Sequence, residues 1–174
     1  FKKPILLLIC AVYFAAAANM TTYTYKTVGT LKIDLNVYTP PTAAPATGYP
    51  VFFAIHGGGL YSGAKTGAFS ATELAEVMSR GWVLVSIDYR LLPSVFLEDI
   101  VGDVQAAYSW VRTELPKKTP INLNRIAVFG QSAGGGLATI AGYKFSPRPR
   151  VVLAFYPGWS NWTVPSMYNP STAV

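Results

Sequence analysis

The sequence predicts an α/β fold in which a mainly parallel sheet carries helices on both of its faces. Short apolar runs alternate with segments of helical spacing through the second half of the chain. Two of these runs, residues 51–55 and 125–129, pass directly into glycine-rich turns. Such an alternation places parallel strands side by side and puts the connecting helices over the sheet.

The composition is that of one folded domain. The chain has 174 residues, of which 51% are hydrophobic and 13% charged, so a disordered chain is excluded. The net charge is +6, but the basic residues are scattered, with pairs only at Lys2-Lys3 and Lys117-Lys118. We interpret them as a solvated surface and predict no nucleic-acid partner. Cys10 is the only cysteine, which excludes an internal disulfide and a cysteine-based metal site.

The N-terminal segment has the pattern of a secretory signal peptide or an uncleaved anchor. A lysine pair precedes an apolar stretch of about fifteen residues that ends in four alanines. The alternatives are read-through upstream of a true start at Met20, and a buried core helix. We therefore predict a targeting segment at 1–19 and the folded domain at 20–174. The protein would be secreted or membrane-anchored through residues 1–18, or cytoplasmic if it starts at Met20.

The first elements of the folded domain are two strands and a loop. Apolar and polar residues alternate over 21–39 on both sides of Gly29, which predicts an antiparallel pair of strands. Residues 40–50 hold four prolines and a glycine, which predicts a surface loop. The apolar run at 51–55 is then a buried strand.

Two amphipathic helices follow, at 71–80 and 96–115. Gly81 closes the first and Pro116 stops the second. The remaining predicted strands are 82–87, 125–129 and 150–155.

The residues from 130 to 134 read G-x-S-x-G and lie between a predicted strand and a predicted helix. A serine in such a turn has a strained backbone, and the flanking glycines remove the Cβ atoms that would collide there. The hydroxyl of Ser132 then stands at a helix N-terminus, where developing negative charge is favoured. The pattern predicts a nucleophilic serine.

A second turn, His56-Gly57-Gly58-Gly59, follows the strand at 51–55. Three consecutive glycines let bare amide N–H groups point into an open space, as an oxyanion hole requires. One turn therefore supplies a nucleophile, and the other supplies hydrogen-bond donors for the anion that the nucleophile creates.

These motifs resemble those of the α/β-hydrolase superfamily, and within it the hormone-sensitive-lipase-like esterases. The resemblance runs from about Val51 to about Gly158. Three features depart from the subgroup pattern: Gln131 stands where an acid is usual, Ser94 stands where a glutamate usually follows the proline, and the connection from Ser94 to Glu98 is short. The matching stretches are 56–59, 88–93, 98–99 with the helix after them, and 125–135.

The resemblance implies hydrolysis of a small-molecule carboxylic ester by acyl transfer to water. Ser132 would be the nucleophile. The N–H groups of Gly58, Gly59 and Ala133 would receive the oxyanion, while His56 and Gly57 would shape the loop. No metal or cofactor is implied, and a membrane would be a partner only through an uncleaved N-terminal segment.

The acid and the base of a catalytic triad are not where this fold puts them. In α/β-hydrolases the chain order is serine, then Asp or Glu, then histidine, but every carboxylate here precedes Ser132 and His56 is the only histidine. We therefore expect an α/β-hydrolase fold truncated before its last strands, 20–174 being a partial domain. The chain by itself is expected to be inactive or nearly so. The alternative, His56 as the base, conflicts with its place in the glycine turn.

The carboxylates have structural interpretations. We expect Asp88 to hold the loop after its strand by pairing with Arg90. Glu98, Asp99 and Asp103 are expected to cap or face solvent in the first turns of a helix. The remaining four are expected to be solvated: Asp34, Glu73, Glu76 and Glu114.

Two other functions stay open. A non-catalytic α/β-hydrolase relative would use the same pocket to bind a ligand or partner. An amide or formamide hydrolase would use the same residues as an esterase. Four aromatic residues would line an acyl pocket or pack in the core: Tyr61, Tyr156, Trp159 and Trp162.

Overall fold

A computed structural model describes residues 18–158. The predicted targeting segment and the aromatic residues Trp159 and Trp162 lie outside the described residues, apart from positions 18 and 19. Within the described part, no helix is both long enough and apolar enough to cross a membrane.

The described residues form six strands, three α-helices and two short 3₁₀ turns. The strands are β1 Asn19–Val28, β2 Leu31–Thr39, β3 Tyr49–Ile55, β4 Val83–Ile87, β5 Ile121–Gln131 and β6 Val151–Phe155. The helices are α1 Ala71–Ser79, α2 Leu97–Thr113 and α3 Ala133–Lys144. The 3₁₀ turns are Lys65–Gly67 and Leu115–Lys117.

All six strands form one sheet in the order β1-β2-β4-β3-β5-β6. β1 pairs antiparallel with β2, and β2 antiparallel with β4, whereas β4, β3, β5 and β6 are parallel neighbours. The three parallel connections each contain a helix, as parallel pairing requires. The predicted α/β class and mainly parallel sheet are therefore observed.

Helices cover both faces of the sheet. Alternate residues of β3 and β4 point to opposite faces, so Leu84 packs under α1 with Val77 and Met78, whereas Phe53 and Val85 belong to the larger core. That core also contains the buried faces of α2 and α3. Because α3 is packed on the sheet along its length, eight of its residues are buried, including three consecutive glycines.

Helix boundaries follow local signals in the sequence. Ser70 caps α1, because its Oγ accepts from Glu73 N–H at 3.2 Å while the Glu73 carboxylate accepts from Ser70 N–H at 2.6 Å. Glu73, expected to be merely solvated, thus also completes a capping box. The helix predicted at 96–115 is two residues shorter at its C-terminal end, where Pro116 enters a 3₁₀ turn. β5 is longer than predicted, since Ile121 at its start pairs with Tyr49 beyond a bulge.

Candidate active site

The two glycine-rich turns lie side by side at the carboxyl end of the parallel strands. β3 and β5 are neighbours with Ile55 opposite Gly130, so the residues that follow each strand leave the sheet together. A Cβ built on Gly57 would lie 3.3 Å from Ser132 Cβ and 3.0 Å from Gln131 O. The loop predicted to bind an oxyanion therefore adjoins the serine predicted to create one.

Ser132 has φ 54° and ψ −123°, a backbone conformation that non-glycine residues rarely adopt. The conformation is enforced by close backbone packing on both sides of the turn. A Cβ on Gly130 would overlap the carbonyl of Gly134, and a Cβ on Gly134 would overlap the carbonyls of Ile55 and His56. Both flanking glycines of G-x-S-x-G are thus sterically required.

Three backbone hydrogen bonds fix the peptide groups of Ser132. Its N–H donates to Phe155 O at 3.1 Å, and its carbonyl accepts from Gly136 N–H at 3.1 Å and Gly158 N–H at 2.9 Å. Two of these partners lie at and beyond the end of β6. The side chain is half-buried, and its hydroxyl makes no hydrogen bond with the residues that the structure describes.

The loop after β3 turns sharply at two glycines with positive φ. Gly58 has φ 107° and Gly59 has φ 64°, and the Gly58 carbonyl accepts from the N–H groups of Tyr61 and Ser62. A Cβ on Gly58 would overlap the backbone of Ser62. Within residues 18–158, the N–H groups of Gly58 and Gly59 have no hydrogen-bond acceptor. They are available as donors to a bound anion.

A pocket of about 370 Å³ lies between the two turns. Its size falls in the range of small-molecule sites. Gly59 and Ala133 adjoin the lining in sequence without forming part of it, so their role as oxyanion donors stays a prediction. The lining residues are His56, Gly57, Gly58, Gly63, Ala64, Gly67, Gln131, Ser132 and Tyr156.

The His56 side chain is buried beneath its own loop and contacts Tyr89 and Gly57. Its ring is 1% exposed and stacks on Tyr89 with the ring centres 4.1 Å apart. Nδ1 lies 2.7 Å from the Gly57 carbonyl, so Nδ1 carries the proton and donates it. Burial lowers the pKa of His56 below its ordinary value, which keeps the ring neutral near pH 7. Nε2 is buried with no hydrogen-bond partner among the described residues.

An ion pair anchors the far end of the glycine-rich loop after β3. The carboxylate of Asp88, just after β4, accepts from the backbone N–H of Lys65 at 2.7 Å and from the Lys65 ammonium. The expected pairing of Asp88 with Arg90 is wrong, because the loop brings Lys65 to Asp88 while Arg90 turns towards α2. Tyr89 adds a second tie, since its hydroxyl donates to His56 O at 2.8 Å.

Asp103 is fully buried in α2, so its expected capping or surface role is also wrong. Its carboxylate accepts from the Arg90 guanidinium at 2.7 and 2.9 Å and from Lys26 Nζ at 2.6 Å. These hydrogen bonds outweigh the opposing effect of burial and hold the pKa of Asp103 below its ordinary value. Asp99 does cap the helix, accepting from Phe96 N–H at 3.1 Å.

Tyr156 closes one side of the pocket. It has φ 34°, is 68% exposed, and donates a hydrogen bond from its hydroxyl to Gln131 Oε1. Both residues line the pocket, so the acyl-pocket alternative fits Tyr156 better than core packing. Tyr61 is 58% exposed and neither lines the pocket nor packs in the core. Gln131 stands where the esterase pattern usually has an acid. Its uncharged amide therefore adds no charge to the pocket wall.

Sequence reasoning missed Lys65, which no local pattern distinguishes from other surface lysines. Its contact with Asp88 depends on the path of the loop after β3.

Among the described residues, no three His, Cys, Asp or Glu side chains converge to form a candidate metal site.

Comparison with known proteins agrees with this geometry. The model of the BD-FAE family matches residues 35–148. The non-reducing polyketide synthase ascC of Acremonium egyptiacum is 32% identical over 152 residues, which cover 82% of this chain and 7% of the synthase. Esterase LipI of Mycobacterium tuberculosis is 30% identical over 141 residues, which cover 81% of this chain and 43% of that esterase. The chain thus spans less than half the length of these relatives.

Solved esterases share the fold. A bacterial heroin esterase aligns with a TM-score of 0.60 and 31% identity over 73% of this chain and 39% of that protein. Native esterase 2 of Thermogutta terrifontis aligns with a TM-score of 0.60 and 27% identity over 74% of this chain and 45% of that protein. The sheet order, the serine turn and these relatives together establish an α/β-hydrolase fold of the hormone-sensitive-lipase-like type, and the chain belongs to the BD-FAE family.

Proposed function

We propose that this site hydrolyses small-molecule carboxylic esters by acyl transfer to water, with Ser132 as the nucleophile. The observation that carries the proposal is the contact between two turns: the strained serine adjoins the glycine loop, and both open into one pocket. The relatives named as esterases support the reaction class. The lining contains no charged side chain, because His56 is neutral, so an uncharged acyl group fits it best.

The first step forms a bond between Ser132 Oγ and the ester carbonyl carbon, and the carbonyl oxygen becomes an anion. The N–H groups of Gly58, Gly59 and Ala133 receive that anion. Each such donor contributes roughly 3 kcal/mol of transition-state stabilisation in serine hydrolases. Collapse of the intermediate releases the alcohol and leaves an acyl-serine, which water then cleaves.

The proton of the serine hydroxyl needs an acceptor, and these 174 residues offer His56 as their only imidazole. That ring is buried, stacked and hydrogen-bonded within its own loop. We therefore assign nucleophile and anion stabilisation to this chain and leave proton transfer to a base that it does not supply. The 174-residue chain in plain buffer is expected to hydrolyse esters negligibly.

Added imidazole tests the assignment. Hydrolysis of p-nitrophenyl butyrate by the 174-residue chain should stay close to that of its Ser132→Ala variant in plain buffer. With imidazole present, the wild-type chain should exceed the variant in the same imidazole, since the small base reaches an open pocket. Equal rates for the two chains with imidazole would contradict the proposal.

The second candidate is a non-catalytic binding role, favoured by the inaccessibility of His56. If the chain only binds its ligand, no Ser132-dependent rate is expected in plain buffer or with imidazole. The ester should then bind saturably without being cleaved. An N-formyl anilide assayed in parallel separates amide from ester hydrolysis. A Ser132-dependent rate on the anilide that exceeds the rate on the ester would favour the amidase.

A further inference from the structure

A second cavity among the described residues lies far from Ser132. It is a groove of about 920 Å³ at the amino end of β6, beside the middle of β5 and the end of α2. β6 is five residues long, so the groove and the serine turn are separated by about 16 Å of strand. The groove is therefore distinct from the candidate active site.

Four arginines line this groove: Arg112, Arg125, Arg148 and Arg150. They come from α2, from β5 and from the segment that precedes β6, so the cluster forms only in the folded chain. Basic residues that are scattered along the sequence meet at this place, because distant segments of the chain converge. Arginine keeps its charge at neutral pH, so the groove holds four positive charges.

Among residues 18–158, no side-chain carboxylate neutralises these arginines. All eight acidic residues lie within the described part. None of the described ion pairs involves a groove arginine, and none of the lining residues is acidic. Glu98 is the one acid without a described partner, and it lies about 21 Å along α2 from Arg112. The acids that accept hydrogen bonds elsewhere are Asp34, Glu73, Glu76, Asp88, Asp99, Asp103 and Glu114.

The groove is built on fixed backbone. Arg112 Nη1 donates to Leu123 O at 3.0 Å, which ties α2 to β5. Arg150 N–H donates to Ile126 O at 2.9 Å. Pro147 and Pro149 alternate with the arginines before β6 and restrict the backbone there. These guanidinium groups therefore project from positioned segments, which lowers the entropic cost of binding.

We propose that this groove binds a small molecule that carries phosphate or carboxylate groups on an apolar body. Guanidinium groups match the two-oxygen geometry of both anions. The volume lies within the range of small-molecule sites. The apolar side chains of Trp82, Leu123 and Val151 complete the lining and provide a surface for a flat or aliphatic ligand body.

Calorimetric titration with three probes tests the proposal: inorganic pyrophosphate, citrate and 1-naphthyl phosphate. Saturable binding of at least one probe is expected. 1-Naphthyl phosphate should bind more tightly than inorganic phosphate, which is titrated as a reference because it lacks the apolar body. The double variant Arg125→Gln/Arg148→Gln should weaken binding about tenfold or more, because two charged donors are lost. Both side chains are exposed, and an unchanged circular dichroism spectrum confirms that the variant is folded.

The matched control is Lys32→Gln/Lys117→Gln, which removes the same net charge from exposed positions outside the groove. It should change affinity by less than about twofold, since neither lysine lines the groove and salt screens exposed charges. Absence of saturable binding, or equal weakening in both double variants, would overturn the proposal. A short single-stranded oligonucleotide that binds more tightly than all three probes, and is lost with the arginines, would replace it with a nucleic-acid site.

Discussion

Arg90 and Asp103 form a bidentate ion pair: Nε donates to Oδ2 at 2.7 Å and Nη2 donates to Oδ1 at 2.9 Å. The carboxylate is 0% exposed, the guanidinium is 14% exposed, and Lys26 completes the group. The pair joins the loop after β4 to α2, and Lys26 extends the connection to β1. It therefore holds the strand end from which Asp88 and Tyr89 contact the glycine-rich loop after β3.

Replacing Asp103 with asparagine should destabilise the protein by about 3–5 kcal/mol, because two cations lose their buried partner. Urea unfolding at neutral pH measures the change. Glu98→Gln, an exposed position on the same helix, is the control and should stay within about 0.5 kcal/mol of wild type. If the free energy of unfolding of the Asp103 variant fell by less than about 1 kcal/mol, the ion pair would contribute no more than an exposed one.

Acidification should destabilise the protein through His56 before it affects the carboxylates. Burial places the pKa of His56 in the folded state below the ordinary 6.5, so the unfolded chain binds the proton first. Stability from the neutral ring is present above about pH 6.5 and is lost as pH falls through the folded-state pKa. Urea midpoints measured from about pH 7.5 to 5 should fall for wild type.

The matched variant is His56→Asn, whose amide can still donate to the Gly57 carbonyl. Since His56 is the only histidine, the variant should show a nearly flat profile over the same pH range. An unchanged slope would show that another group titrates there.

Gly134→Ala should destabilise the protein by about 1–3 kcal/mol or more, because the new Cβ would overlap the carbonyls of Ile55 and His56. Gly102→Ala is the control: this glycine lies inside α2, and a Cβ there meets nothing within 4 Å. That change should stabilise the helix by about 0.5–1 kcal/mol. Thermal unfolding of the two variants should therefore shift in opposite directions, and equal shifts would contradict the tight turn.

Asp88→Ala should cost more stability than Lys65→Met. The aspartate accepts from both the backbone and the side chain of Lys65, and removing it leaves two donors without their acceptor, at about 1.5–3 kcal/mol. Removing only the ammonium keeps the backbone hydrogen bond and should cost about 1 kcal/mol or less. Chemical denaturation ranks the two variants, and the reverse order would indicate that the side-chain pair dominates.

The parts of the site that depend on neighbouring residues were predictable from the sequence. Gly130, Ser132 and Gly134 act within one turn, so their spacing alone indicates the strained serine. The buried strands β3 and β4 are also visible as apolar runs, because nearly all of their residues are buried.

The parts that depend on the path of the chain were not predictable. Asp103 occupies a helical position that local rules assign to solvent, and its burial depends on Arg90 and Lys26 from other elements. The arginine groove arises in the same way, since its four members are separated by loops and strands. Local patterns report the conformation of a segment, whereas ion-pair partners and charge clusters are set by which segments meet.

The backbone hydrogen bonds that join Ser132 with Phe155 and Gly158 bear on how the site assembles during synthesis. A nascent polypeptide that has emerged only as far as α3 already contains the complete serine motif. It lacks Phe155 and Gly158, whose backbone groups form hydrogen bonds with the Ser132 peptide groups. We therefore expect the Ser132 peptide to reach its final orientation only when the sixth strand has docked, so that the site matures together with that edge of the sheet.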